Sequence, residues 1–177
     1  MLAIEFIEDS AVDAELDRQL RQLISICFTK PGDAVFRDRR YFHEPPRWRW
    51  FVRSSPTELI AHIAVHDKLI GLTTGELRIA GIAEVCVHPQ HRGQGLVREL
   101  LATAHEWLAA HEIAMAVLFG DKKHYASSGY RNISNTVRHW KPDPGVWLTE
   151  TSDWVMIKPL RKFDWPTGLV DLRGPVF

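Results

Sequence analysis

The sequence predicts an α/β domain built on a mixed, largely antiparallel sheet, and two stretches carry that prediction. The first is a pair of strand-like runs, Leu59 to Leu72 and Glu76 to His88, separated by Gly71-Leu72-Thr73-Thr74-Gly75, which reads as a hairpin turn. The second is the order that follows: a strand ending at His88, an amphipathic helix from Leu96, and a short apolar run from Ile113 to Phe119. A helix joining two strands of one sheet is a crossover, and a crossover makes the strands parallel. A chain of 177 residues with 45% hydrophobic content can fill one ordinary core, so residues 1–177 are expected as a single domain.

Along the chain, Ile4 and Phe6 alternate with Glu5 and fit a first strand with one buried face. Ser10 or Asp13 caps a helix whose stripe is Leu16, Leu20, Leu23, Ile24 and Cys27, ending near Pro31-Gly32. Residues 29–50 lose periodicity and read as an irregular connection, with a short strand suggested at Trp50-Phe51-Val52. In the hairpin, Ile60, His62, Ala64 and His66 share one face of the outgoing strand. On the returning strand, Ile82, Glu84, Cys86 and His88 fall on one face and Ala83, Val85 and Val87 on the other. Whether His62 and Glu84 meet depends on the turn, because a slip of one residue reverses the face. Leu96, Val97, Leu100, Leu101, Ala104, Trp107 and Leu108 form the best-defined helical stripe. Asp121 to Ser128 reads as a short helix stopped by Gly129, and Trp154 to Ile157 as a late strand before a tail rich in Pro and Trp.

Charge narrows the function. Lys plus Arg and Asp plus Glu number 22 each, so no overall field favours nucleic acid or an anionic membrane. Glu5, Glu8 and Asp9 do not suit a secretory signal, and the most apolar stretch, Ile79 to Val87, contains Glu84 and is too short to span a bilayer. A cytoplasmic protein with reduced Cys27 and Cys86 is expected. Cys86 lies between two valines with no adjacent base, so a structural thiol is favoured over a nucleophile. The nine histidines form no zinc-ligand spacing, and no metal is expected. In Arg47-Trp48-Arg49-Trp50, tryptophans packed on the core with exposed arginines are preferred over a nucleotide-stacking site.

The strongest chemical signal is Val85-Cys86-Val87-His88-Pro89-Gln90-His91-Arg92-Gly93-Gln94-Gly95-Leu96, a strand passing through a glycine-containing turn into a helix. Glycines admit a ligand close to the backbone, while the first-turn amides and positive dipole end favour phosphate. Arg92 adds a cation.

Gln90-His91-Arg92-Gly93-Gln94-Gly95 resembles the signature of the GNAT superfamily of N-acetyltransferases, and His124-Tyr125-Ala126-Ser127-Ser128-Gly129-Tyr130 resembles a second element of that family. Ile60 to Val65, Val85 to Leu101, Tyr125 to Tyr130 and a tail with Trp165, Asp171, Arg173 and Gly174 look most like aminoglycoside 2'-N-acetyltransferases. The resemblance implies a GNAT-like sheet flanked by helices and splayed between its two parallel strands, at the strand ending with His88 and the strand Ile113 to Phe119. It implies acetyl-CoA as acyl donor, with the amides of Arg92, Gly93, Gln94, Gly95, Leu96 and Val97 on the pyrophosphate. The backbone of Val85, Cys86, Val87 and His88 would align the pantetheine and polarise the thioester carbonyl.

Acyl transfer to an amine needs a proton acceptor, donors for the oxyanion and a proton for the leaving thiolate. Glu84 is the candidate acceptor, with His88 second; the competing reading of Glu84 is a strand carboxylate paired to Lys or Arg. Tyr125, by its motif position, is the candidate donor to sulfur, a transfer uphill by only about 2 kcal/mol on reference pKa values; the alternative is packing beneath the donor. The expected reaction moves an acetyl group to a primary amine of a small molecule in a ternary complex, with residues 29–50 and the tail from Trp140 shaping the acceptor pocket. Alternatives are a longer acyl donor, as in the nodulation-type N-acyltransferases that the hairpin and motif also resemble, and a CoA-binding sensor without turnover. Neither nucleic acid nor membrane is expected as a partner, and a homodimer is left open.

Overall fold

The computed structural model describes residues 3–151 and 153–177. The chain divides into two compact units, each assembled from two stretches: Met1–His66 with Ala83–Ala104, and Asp67–Ile82 with His105–Phe177. The hairpin strands β3 (Glu58–Leu72) and β4 (Gly75–Val87) contribute residues to both.

In the first unit β1 (Ile4–Glu8) pairs antiparallel with β2 (Trp48–Ser55), and β2 pairs antiparallel with β3. Helix α1 (Ala14–Cys27) starts at Asp13, whose carboxylate accepts the Leu16 N–H at 2.8 Å. Its stripe, Leu16, Leu20, Leu23 and Ile24, is buried against Phe36, Phe51, Leu59 and Cys86. Each such side chain contributes about 1.5 to 3 kcal/mol when enclosed. Three expectations change here. The segment after α1 is not wholly irregular, since Pro31–Arg37 form a 3-10 stretch that buries Phe36. β2 begins at Trp48, and Arg49 is 0% exposed along with its buried tryptophan neighbours. β2 lies between β1 and β3, so both of its edges are paired, and Arg49 has no route to solvent. Phe6, expected inside, is 43% exposed because β1 pairs on one side only; its ring still leans on Trp50 at 4.8 Å.

In the second unit the strand order is β6-β9-β5-β4-β3-β10-β7-β8, with β5 (Met115–Phe119), β6 (Arg131–Asn132), β7 (Thr136–Lys141), β8 (Val146–Thr151), β9 (Val155–Pro159) and β10 (Val170–Pro175). β4 runs parallel to β5 and β10 parallel to β7, within an otherwise antiparallel set. The β4–β5 register runs from Ile79↔Met115 to Ile82↔Leu118, and β4 continues past that last partner to Val87. Helix α2 (Leu96–Ala110) is the predicted crossover; Leu96, Leu100, Leu101, Ala104 and Leu108 are buried, whereas Val97 and Trp107 are half-buried. The core joins Ile70, Ile79, Met115, Val117, Val155, Ile157 and Val170. The β7–β8 hairpin and β10 were not anticipated, although Pro142-Asp143-Pro144-Gly145 is a strong turn signal. Among the described residues no helix is long and apolar enough to cross a membrane.

Candidate active site

Glu84 stands in β4 with a φ of 42°, the left-handed region that a side chain adopts at a cost of about 1 to 2 kcal/mol. A left-handed residue inside a strand re-aims side chains as a β-bulge does, and it interrupts the alternation expected from Ile82 to His88. Such strain persists only where the surroundings over-determine it.

Those surroundings are charged. The Glu84 carboxylate, 8% exposed, accepts the Phe42 N–H at Oε1, 3.2 Å away. Its other oxygen, Oε2, is buried without a hydrogen-bond partner among the described residues. Burial pushes the Glu84 pKa up to about 7, with the nearby Arg49 guanidinium opposing the rise. His62 and Glu84 do meet, through the backbone of Glu84: His62 Nδ1 lies 3.1 Å from the Glu84 carbonyl oxygen and its Nε2 lies 3.0 Å from Arg49 Nη1. Arg49 Nε donates to Asp9 at 2.6 Å, and Arg40 grips Asp9 through Nε and Nη2 at 2.9 and 2.8 Å. Arg40 also reaches Asp17, which Arg21 pairs from the other side. Glu84 sits in the field of an arginine and keeps one oxygen uncommitted among the described residues.

Beyond Val87 the chain enters a 3-10 turn, Pro89–His91, then Gly93 and Gly95 at φ 78° and 80°, then α2. A side chain at either glycine would be strained, and no heavy atom lies within 4 Å of the point where a Cβ on Gly93 would stand, so the backbone there is open to approach. Arg92 and Gln94 are exposed. Glu99 N–H is bonded to Gly95 at 3.1 Å, and the amides preceding it in the first turn, those of Leu96 and Val97 included, have no partner within the helix. Val85 and Val87 are half-buried. His88 is already committed: its N–H donates to Ile60 O and its carbonyl accepts from His91, both at 2.8 Å, while its ring accepts from Gln90 at 3.3 Å. Its structural role is to close the turn. Cys86 is a buried free thiol, pushed well above its ordinary pKa by its contact with Cys27 and by burial. A cavity of about 390 Å³ between α1 and the β2–β3 turn reaches His88 but includes no member of the charged cluster.

Tyr125 belongs to the second unit. It ends the short helix α3 (Lys122–Tyr125), capped by Asp121 and followed by a 3-10 turn that Gly129 closes at φ 86°. Its half-buried ring lies so close to Gly120 that a Cβ there would meet it at 2.6 Å, and it stands edge-on to Tyr130 with ring centroids 6.1 Å apart.

A sheet with a bent central strand, an amide-lined glycine turn and a crossover helix defines an α/β domain of the acyltransferase class. Residues 10–133 match the family described as an acetyltransferase (GNAT) domain, and the chain belongs to that family. No curated protein matches the chain by sequence. Among solved structures it is similar to the Escherichia coli GNAT family N-acetyltransferase YhbS in complex with CoA, at 19% identity and TM-score 0.72, covering 97% of this chain and 91% of that one. A GNAT family acetyltransferase from Brucella melitensis in complex with acetyl-CoA has 14% identity and TM-score 0.61, with 96% of each chain covered. An acyl-CoA N-acyltransferase from Pseudomonas aeruginosa has 15% identity and TM-score 0.61, covering 89% of this chain and 99% of that one. At these identities the likeness is one of fold.

Proposed function

We propose that the protein transfers an acetyl group from acetyl-CoA to a primary amine of a small molecule by direct attack in a ternary complex. The observation that carries this reading is Glu84: a buried carboxylate with a pKa of about 7 and one free oxygen, on the strand that leads into the glycine turn. A general base is most effective when its pKa lies near the working pH. The amides of Arg92 through Val97 and the Arg92 guanidinium bind the pyrophosphate of the donor. The donor supplies an activated thioester. Deprotonated Glu84 accepts the proton that the amine loses as its nitrogen attacks, and Tyr125 gives its phenolic proton to the departing thiolate, leaving an amide and CoA. Crystallised relatives with CoA and acetyl-CoA support the donor.

The charge inventory bears on the acceptor. Asp9 and Asp17 are occupied by Arg40, Arg49 and Arg21, so Glu84 is the carboxylate of this cluster with an oxygen not yet committed to a partner among the described residues. That favours an acceptor presenting a single amine over a polycation of the aminoglycoside kind. A screen of monoamines, polyamines and aminoglycosides against acetyl-CoA and longer acyl-CoA donors tests both points. Turnover should be confined to acetyl-CoA and best with monoamines; preference for an aminoglycoside or a long acyl chain overturns the corresponding assignment. With the best acceptor, the rate should rise with pH through about 7. Glu84→Gln should lower kcat about 10²- to 10⁴-fold and flatten that rise, with CoA still raising the melting temperature. An unchanged rate in Glu84→Gln removes the base from this mechanism, and CoA binding with no turnover on any amine points instead to a sensor.

A further inference from the structure

Arg49 is fully enclosed, and a guanidinium can only donate. Its 3.0 Å contact to His62 therefore makes Nε2 of His62 the acceptor. A neutral imidazole has one remaining ring proton, which must then sit on Nδ1, 3.1 Å from the Glu84 carbonyl oxygen. Protonating Nε2 would set two donors against each other without water. Burial, reinforced by Arg49, accordingly holds the His62 pKa well below its ordinary value. The hydrogen bonds thus run one way, from Arg49 to His62 to the backbone of Glu84.

Each end of this line is anchored. Asp9 accepts from Arg49 Nε, and the Arg40 carbonyl accepts from Arg49 Nη2 at 3.1 Å, so the guanidinium is clamped on three sides. At the other end, the carbonyl that receives the His62 proton belongs to the residue held at φ 42°. Left to itself a glutamate avoids that conformation, and something must hold it.

We propose that Arg49, anchored by Asp9, and His62 form a buried relay of hydrogen bonds running one way from Arg49 to the Glu84 backbone, which holds Glu84 in its left-handed bend and keeps the carboxylate enclosed with Oε2 uncommitted. The proposal rests on Glu84 as the base and adds His62 and Arg49 as positioning residues. The groups facing Glu84 come from every neighbouring element: Asp9 after β1, the Phe42 amide, Arg49 on β2, His62 on β3 and Cys86 on β4. Burial raises the Asp9 pKa, but its bonds to Arg40 and Arg49 outweigh this and keep it ionised. His62 and Cys86 stay neutral. Glu84 is left as the group of this set whose charge changes near neutral pH.

Nuclear magnetic resonance on the full chain, labelled with nitrogen-15 in histidine and carbon-13 in the glutamate carboxyls, tests the relay without any acceptor. Glu84→Gln assigns the Glu84 signal and His62→Asn assigns His62. The expected result is a neutral His62 with its proton on Nδ1 at every pH where the protein is folded, and a Glu84 carboxyl that titrates near neutrality. In His62→Phe, which fills the space but donates nothing, the Glu84 midpoint should fall by about one pH unit or more toward the ordinary carboxylate range. His62→Asn, whose amide retains a donor at the position of Nδ1, should keep most of the wild-type midpoint. A proton on Nε2, or a Glu84 midpoint unmoved in His62→Phe, overturns the relay. Should His62→Phe fail to fold, the wild-type tautomer and the asparagine variant still decide. If these signatures hold while Glu84→Gln acetylates at the wild-type rate, the relay stands and the base assignment falls. If Glu84→Gln is inactive but the signatures are missing, the base stands and the relay falls.

Discussion

Each unit encloses two histidines, His62 and His66 in the first and His105 and His139 in the second, and the settings of His62 and His105 differ. In the second, His105 and Tyr130 close on each other at 2.8 Å, with His105 pushed down to about 3 by burial and Lys158, and Tyr130 held protonated by burial. Asn135 in the same unit is equally complete, giving its amide protons to Pro166 and Gly168 and accepting from Trp165. In the first unit, His62 belongs to a network that contains full charges and a strained backbone, and that network ends on the backbone carbonyl of Glu84, whose carboxylate keeps one oxygen without a partner among the described residues. Closed neutral pairs stabilise a core and do little else. An enclosed charge left half-satisfied costs stability, and retaining it makes sense where the open valence is used.

Breaking each network measures that contrast. The largest effect is expected for Arg49→Met, which leaves Asp9 with one arginine and deprives His62 of its donor; urea unfolding should show a loss of about 3 to 5 kcal/mol. A loss below about 1 kcal/mol would mean the network is no more demanding than an ordinary surface pair.

The next effect concerns pH. The folded-state pKa of Glu84 is raised, from 4.5 to about 7, so its contribution to stability is fully present below about 4.5 and is lost as pH rises through about 7. His105 is depressed, from 6.5 to about 3, so its contribution is present above 6.5 and is lost as pH falls. Stability differences from wild type should therefore run in opposite directions: Glu84→Gln gains up to about 3 kcal/mol relative to wild type on the alkaline side, whereas His105→Gln gains by a similar order on the acid side. Parallel difference curves would show that the two interiors are not distinct in this respect.

The smallest effect is expected for Tyr130→Phe, which orphans His105 Nε2 and should cost about 1 to 3 kcal/mol with little change in pH profile between about 7 and 8 on the scale of the Glu84 effect.

Much of this was readable from local pattern. The stripes of α1 and α2, the hairpin of β3 and β4, the crossover to β5 and the turn from His88 to Leu96 all depend on residues near one another in sequence. Gly93 and Gly95 are of this kind, because a positive φ is a property of one residue and its neighbours. The strands that local pattern missed were of another kind. β8 is mostly exposed and carries a weak apolar signal, and β10 finds its parallel partner in β7 only after the chain has returned through β8 and β9. The misreading of Arg49 has the same origin: arginine beside tryptophan reads as a surface cation until β1 and β3 are seen to flank β2 on both sides.

By itself, then, the sequence determined the stripes of α1 and α2, the β3–β4 hairpin, the glycine turn that leads into α2, and that Glu84 lies on the strand entering that turn; these follow from spacing, capping and glycine conformation. Only the tertiary structure decided what Glu84 is. Its near-neutral pKa comes first from burial among elements distant in sequence, with Asp9 adding to the rise and Arg49 and the Phe42 amide opposing it, and electrostatic character is a property of the surroundings rather than of the residue.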